Sequence, residues 1–528
     1  MPEEKTPLTR RKLLTMIGHM AGGAAMYSAM GTLGHAAESS YSGPIKLSKA
    51  KPGASVVVLG AGLAGMLAAI ELRNAGYKVT VLEYQNRAGG RAWTLRGGDT
   101  FTELDGTTQT VGFAKGNYLN PGPWRVPHNH HAMMDLYRRY GIELDVFNQV
   151  NHNAYVHNSK AFGGKPQRFR HIATDYRGHT AELLAKAVNQ GALDTVISKE
   201  DAEKLLASLK STGALDKDYR YVASLHTSEY RGFDVDHGGG LMPRAKASQP
   251  IGVSEVLQSN LWGQIGSGNL TEFHSTIFQP KGGMDMLPQA MAKDLGKAIQ
   301  YNAKVSKIAQ DEKSVTVSYT RNGVQQQVTA DWCVCTIPAS ILAQMDIQVG
   351  DKMRAAIEAL PYGSSVKVGL EFKRRFWEED ERIYGGITST DLPIQQISYP
   401  SNDYMKPGPA VLLGAYAFDN TNAYRLASLT PKERVRLALE WGSQIHPQYK
   451  QEFLSGVSVA WHRTPWTQGC YGAWNDNLRA QHYDNMAQID NRLVLAGEHI
   501  SFIPAWQEGA VLSALDAVQR LHAKAVNV

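Results

Sequence analysis

The strongest hydrophobic patterning in the chain lies in "SVVVLGAGLAGMLAAIELRNAGYKVTVLE". Ser55 to Leu59 is an apolar, β-branched run without alternation, as a parallel strand buried on both faces requires. Leu63 to Ala75 predicts a helix, and Lys78 to Leu82 a second strand with Glu83 at its end. Further on, "TRNGVQQQV" sets Asn322-Gly323 between alternating segments, a hairpin signal. "TPKERVRLALEWG" opens a helix in which Thr430 caps, Pro431 takes the first turn and Glu433 closes a capping box. "SKEDAEKLLASL" begins similarly at Ser198. From about His131 to Gly266 the pattern reads mostly helical, broken by loops such as "DHGGGLMPRAKASQP". No repeat or low-complexity tract stands out.

Composition narrows the classes. A chain of 528 residues predicts two or three domains. With 43% apolar and 20% charged residues it has the make-up of a soluble globular protein. No mature segment is long and apolar enough for a membrane span. The net charge of +6 comes from scattered basic residues, which argues against nucleic acid as a partner. Three cysteines make no disulfide framework, and Cys333 and Cys335 share one face of an expected core strand. Near the start, "TRRKLLTMIGHMAGGAAMYSAMGTLGHAA" puts Arg10 and Arg11 before a Gly/Ala-rich apolar stretch, with small residues at Gly34, Ala36 and Ala37. This resembles a twin-arginine signal; the bland alternative is a basic start to an amphipathic helix. That export route carries folded proteins, so a periplasmic or secreted location is expected. "SGPIKLSKAKPG" reads as a linker.

Gly60, Gly62 and Gly65 form G-x-G-x-x-G, with Leu63 and Ala64 inside it. Gly60 permits the tight turn, Gly62 admits a pyrophosphate to the backbone, and Gly65 lets the helix pack close to the strand. The helix N-terminus offers free N–H groups and the positive end of a dipole. Glu83 stands about 20 residues on, where a carboxylate can hold a ribose hydroxyl and disfavours a 2′-phosphate. Strand, glycines, helix, strand and acid in order make a specific signal; the bland alternative is a glycine-rich turn without a ligand. "RAGGRAWT" then supplies Arg87, Gly89, Gly90 and Arg91, a second close-approach loop that favours FAD over NAD.

Glu83 followed by "YQNRAGGRAWT" resembles the flavin-containing amine oxidase family, which includes monoamine oxidases and L-amino acid oxidases. "FQPKGGMDMLPQAMA" is similar to the family's return to the FAD domain, and "NAKVSKIAQDEKSVTVSY" to the strand that meets the adenine near Val305. "RLVLAGEHISFIPAWQEGAVLSAL" resembles the C-terminal flavin motif, in which Gly497 and Glu498 approach the ribityl and phosphate groups. Trp506 and Gln507 follow, and a helix from about Gly509 points its N-terminus at the isoalloxazine. The resemblance implies an α/β fold: a Rossmann-like FAD-binding domain, a mixed-sheet substrate domain and a helical insertion. The implied organisation is a signal and linker start over 1–40, FAD segments over 50–118, 270–340 and 479–528, a helical region toward the substrate over 119–265, and a substrate domain over 341–478. A homodimer is expected.

The same resemblance assigns a substrate end. "GPWRVP" is similar to the segment in which an arginine of L-amino acid oxidases binds the substrate α-carboxylate. Arg125 suits that role, since a guanidinium offers two parallel donors and keeps its charge, and Pro123 and Pro127 stiffen its flanks. A structural salt bridge is the alternative. Lys367 resembles the family lysine that holds a water against flavin N5; from the residues alone it is either edge solvation or a buried amine. Tyr416 resembles the tyrosine that shares the carboxylate, or is ordinary core. Tyr471 and Trp506 resemble the aromatic pair that guides the amine nitrogen. Ala505 stands where L-amino acid oxidases often carry glycine, with its carbonyl retained. Cys470, in "GCY", resembles the position at which monoamine oxidases attach FAD, but Thr467-Gln468 replaces the small residues of that motif, so non-covalent FAD is expected. The histidines of "HNHH", His128 to His131, do not converge on one point, and no metal is expected.

The resulting expectation is FAD-dependent oxidative deamination of L-amino acids, with oxygen as acceptor and 2-oxo acid, ammonia and hydrogen peroxide as products. The rivals are a flavin monooxygenase that decarboxylates to an amide, an oxidase of carboxylate-free amines, and a flavoprotein that only binds a partner. Changing Arg10 and Arg11 together to lysine should leave the folded, active protein in the cytoplasm. Fractionation checks this, and normal periplasmic activity in the variant would remove the twin-arginine reading.

Overall fold

The computed structural model describes residues 39–527. Arg10, Arg11 and the rest of the signal segment lie outside the described residues. Two large sheets organise the chain.

The first sheet has six strands in the order Ile299–Gln300, Lys78–Leu82, Ser55–Leu59, Trp332–Cys335, Leu493–Leu495 and Ile489–Asp490. All neighbours pair in parallel except the last two. The two strands expected at Ser55–Leu59 and Lys78–Leu82 have those bounds, and the intervening helix runs over Leu63–Asn74. Cys333 and Cys335 are wholly buried in the sheet. The C-terminal helix Gln507–Asn527 packs beside Leu63–Asn74 and covers one face with Val511, Ala514, Val518 and Leu521. It begins at Gln507, two residues before the expected Gly509.

The second sheet is mixed and has seven strands, with Val366–Phe372 lying between Ala410–Ala417 and Phe453–Ala460. Arg321 pairs with Val324 around Asn322-Gly323, both at positive φ, so the expected hairpin is present in a separate four-stranded sheet. Thr430 and Glu433 make the expected capping box, and Ser198 caps its helix through the Asp201 amide.

The mostly helical reading of 131–266 needs correction. Helices do fill much of it, including Phe169–Asn189 and Lys199–Thr212. Yet Leu144–Phe147 pairs with Ile277–Pro280, while Tyr155–His157 and Gln167–Arg168 join the seven-stranded sheet. These strands have two to four residues, too short for a periodic signal, and their pairing is set by distant chain. No helix among the described residues is long and apolar enough to cross a membrane.

One buried ion pair ties the helix Pro431–Gly442 to the edge of the cavity described below. Arg434 is wholly buried; its guanidinium donates to both carboxylate oxygens of Glu103 and to the carbonyls of Leu426 and Ala427. Removing one member of such a pair leaves an uncompensated buried charge and costs about 3–5 kcal/mol. Arg434→Ala should therefore lower the free energy of unfolding, read from urea denaturation, by an amount in that range. A loss under about 1 kcal/mol would mean that Arg463, 3.5 Å from Glu103, compensates the acid alone.

Candidate active site

At the end of strand Ser55–Leu59 the backbone turns through Gly60, whose φ of +102° strains any other residue. Its N–H donates to Leu82 O at 2.8 Å. A Cβ on Gly65 would stand 2.0 Å from the Gly60 carbonyl oxygen, so helix and strand meet in contact. A Cβ on Gly62 would meet nothing within 4 Å; that side is open, and no side chain caps the helix there. The Arg87–Arg91 loop runs alongside. Gly89 N donates to Ala61 O at 2.7 Å, Gly62 and Gly89 form a parallel bridge, and a Cβ on Gly90 would be 3.5 Å from Gly62 Cα. Buried Glu83 accepts from Ala61 N at 2.7 Å and Gln85 N at 2.8 Å, and burial pushes its carboxyl above the usual range despite those amides.

Arg87 stands apart from the other expected cofactor residues. It lies off the cavity wall, stacked 4.5 Å from Trp93 and 5.7 Å from Trp466, and donates to the carbonyls of Ala88 and Gly90. Burial lowers its pKa to about 10. Through those two carbonyls it braces the loop.

A cavity of about 960 Å³ runs from the glycine turn into the space between the two sheets. Val305, Gly497 and Glu498 line it, with Arg91. Arg91 bridges Glu498 at 2.6 Å and donates to Cys470 O at 2.8 Å. Glu498 also accepts from Gly472 N at 3.2 Å and Ala505 N at 3.1 Å. Gln507, at the N-terminus of the last helix, has both side-chain amide atoms buried on the cavity wall without a hydrogen bond. The open face of Gly62, the uncapped helix N-terminus and the orphaned Gln507 amide fit a long, polar, pyrophosphate-bearing ligand, as a flavin dinucleotide is.

At the far end stands Arg125, only 7% exposed. Pairing of Val126 with Phe278 and Pro127 with Ile277 fixes its register. Its guanidinium lies 4.7 Å from the Phe273 ring, 5.1 Å from Trp124 and 5.7 Å from Trp506. Lys367 and Tyr416 are direct register partners on adjacent strands. Because Val366–Phe372 is interior and Lys367 is 3% exposed, edge solvation does not apply to this lysine. Its Nζ donates to Gly122 O, with Asn120 O at 3.4 Å, and sits 3.9 Å over Trp124 and 4.7 Å over Tyr416. Burial holds its pKa well below the usual lysine range; Cys470 opposes this and Arg125 adds to it. Burial likewise raises the phenols of Tyr416 and Tyr471. The Tyr471 ring covers Gly363, where a Cβ would be 2.2 Å from Cζ. Ala505 has φ +67°, a conformation glycine adopts more easily.

The sequence reading brought most of these residues to one cavity but missed others. Trp124, which carries both Lys367 and Tyr416 on its ring, lay unassigned inside "GPWRVP". Glu272 and Phe273 reach the wall from "TEFHS", a segment with no motif. Of the histidines, His130 packs 5.0 Å from Trp506, and burial lowers its pKa to about 3, so it is neutral there.

Comparison with known proteins places this geometry. Residues 63–522 match the model of the flavin containing amine oxidoreductases. A putative L-amino-acid oxidase, YobN, of Bacillus subtilis (strain 168) is 29% identical over 477 residues, covering 87% of this chain and 93% of that one. The L-amino-acid oxidase of Naja atra is 28% identical over 479 residues, covering 88% and 87%. Among solved structures, cyclohexylamine oxidase from Brevibacterium oxydans IH-35A superposes with a TM-score of 0.58 at 18% identity, covering 90% of this chain and 99% of that one. Putrescine oxidase bound to putrescine gives 0.56 at 18%, covering 90% and 100%. The match spans both sheets and the cavity between them: the chain belongs to the flavin containing amine oxidoreductase family.

Proposed function

We propose that the protein oxidatively deaminates L-amino acids with FAD and oxygen, giving 2-oxo acids, ammonia and hydrogen peroxide. The observation that carries this reading is Arg125, a buried guanidinium on the wall of an otherwise aromatic substrate end. A carboxylate-free amine has no use for a desolvated cation there, whereas an α-carboxylate pairs with its two parallel donors. The L-amino-acid oxidases among the relatives support the same class.

Arg125 would hold the carboxylate, and the Tyr416 phenol would donate a further hydrogen bond to it. Tyr471, Trp506 and the Ala505 carbonyl would frame the amine. Gly62, Glu83, Arg91, Glu498 and Gln507 would hold the FAD. The FAD held there would supply the hydride acceptor and the route of the electrons to oxygen. Two carbonyls occupy donors on Lys367, and burial favours its neutral form, leaving a lone pair to accept from a water. The rest is orientation and exclusion of solvent. Export through the twin-arginine route, after the cofactor is bound, fits the order of charge and apolar residues at the start of the chain.

FAD is held without a covalent bond in this reading. Cys470 lines the cavity, but burial raises its thiol pKa, and the thiolate is the reactive form. Acid precipitation should release yellow FAD into the supernatant; colour that stays in the pellet would mean a bond, with Cys470 the first place to look.

Arg125→Ala tests the substrate class. Losing one partner of a desolvated charge pair costs about 2–5 kcal/mol, or ~30-fold to several-thousand-fold in kcat/KM. Arg125→Lys should recover only part, since an ammonium lacks the fork. The matching amine should be a poor substrate of the wild type and lose little further in the variant. Equal losses for amino acid and amine, at unchanged FAD content, would hand the assignment to an amine oxidase.

A further inference from the structure

The turn Thr271–Phe273 borders the substrate end of the cavity. Its Phe273 ring lies 4.7 Å from the Arg125 guanidinium, and Leu270 and Glu272 line the cavity beside it. The other acids on that wall are already engaged. Glu83 accepts two backbone amides, Glu103 is bridged by Arg434 and Arg463, and Glu498 by Arg91. Half-buried Glu272 has no such partner among the described residues; besides burial and its own backbone amide, the charge of Arg125 acts on it. Burial keeps its carboxyl above the usual glutamate range, its backbone amide and Arg125 opposing.

The wall therefore carries a cation and an acid close enough to feel each other, and apolar Leu270 and Phe273 line the same stretch, Phe273 against the cation. That arrangement matches a molecule with a carboxylate at one end, a methylene stem and a cation at the other, because such a stem lies on apolar surface while its charged head reaches a polar rim. We propose that Glu272, with Leu270 and Phe273, forms the side-chain subsite for L-amino acids bearing a terminal cation, of which arginine is the type. This rests on the reading of Arg125 as the carboxylate anchor. The competing role for Glu272 is a built-in counter-ion of Arg125, which would weaken binding of every amino acid alike and would not distinguish side chains.

L-Arginine and L-citrulline separate the two, since they are near-isosteric and differ in the charge of the terminal group. The measurement is kcat/KM for both, and for L-leucine, with wild type, Glu272→Gln and Glu272→Asp at matched FAD content. A charge-assisted hydrogen bond in a partly buried site predicts a wild-type preference for arginine over citrulline of roughly 10- to 100-fold. Glu272→Gln should collapse that ratio toward one, and Glu272→Asp should keep part of it. The wild-type ratio alone decides the matter if the variants fail to fold. A ratio near one in the wild type, or one unchanged in Glu272→Gln, overturns the subsite while leaving leucine oxidation intact. If no L-amino acid, leucine included, bleaches the flavin, the amino-acid reading itself is lost and the subsite with it.

Discussion

The ion pair between Arg91 and Glu498 is the constraint on which the cavity depends. Arg91 belongs to the loop after the second strand, and Glu498 to the last crossing of the chain through the first sheet. Their carboxylate and guanidinium also take the Cys470 carbonyl and the amides of Gly472 and Ala505. Three stretches, the first of them 379 residues before the second, are thus fastened at one point, and each bears a wall: the glycine loop, Tyr471, and the Ala505–Gln507 turn. A buried pair adds little net stability against an apolar replacement, so its value is in fixing register. Burial would raise the Glu498 carboxyl, but Arg91, His499 and the Ala505 amide together outweigh it and hold the group below the usual range. Its contribution is therefore present at neutral pH and is lost as pH falls through that depressed value.

How much of the fold could be read from the chain depended on the range of the forces involved. The glycine turn is decided locally, by the positive φ of Gly60 and by whether a Cβ on Gly65 fits against the Gly60 carbonyl, so strand, turn and helix fell where the residues put them. Caps at Ser198 and Thr430 are equally local. Tyr155–His157 is not: it is a strand because Gln167–Arg168 lies on one side and Gly386–Thr390 on the other. The C-terminal helix starts early because Ala505 at positive φ redirects the chain, which a residue-by-residue propensity does not anticipate.

The site divides the same way. Arg125 and Lys367 were visible because motifs surround them. Arg87 falls outside the cavity lining, which its sequence does not tell, because an arginine beside a glycine loop looks the same whether it faces the cavity or the Trp93 ring behind it. Trp124 could have been found, since a large ring between a proline and a buried cation needs somewhere to pack. Glu272 could not; only the folded chain brings its turn to Arg125.

Two bases share the substrate end, and burial acts on them in opposite ways. An ammonium taken out of water sheds its proton, and Lys367 sits over two rings with its pKa driven well down by burial. A guanidinium in a similar place keeps its charge at neutral pH, because its delocalised cation starts from a far higher pKa. The burial that depresses Lys367 also surrounds Arg125, and both stand over rings of the same kind, so the difference lies in the side chains and not in the surroundings. Exchanging the two would change the balance of charge: a lysine at 125 would be pushed toward neutrality by the same burial, and an arginine at 367 would set a second permanent cation against Trp124. The cavity thus carries one fixed positive charge at Arg125 and one amine, at Lys367, whose charged form burial disfavours, and the difference follows from what desolvation does to each side chain.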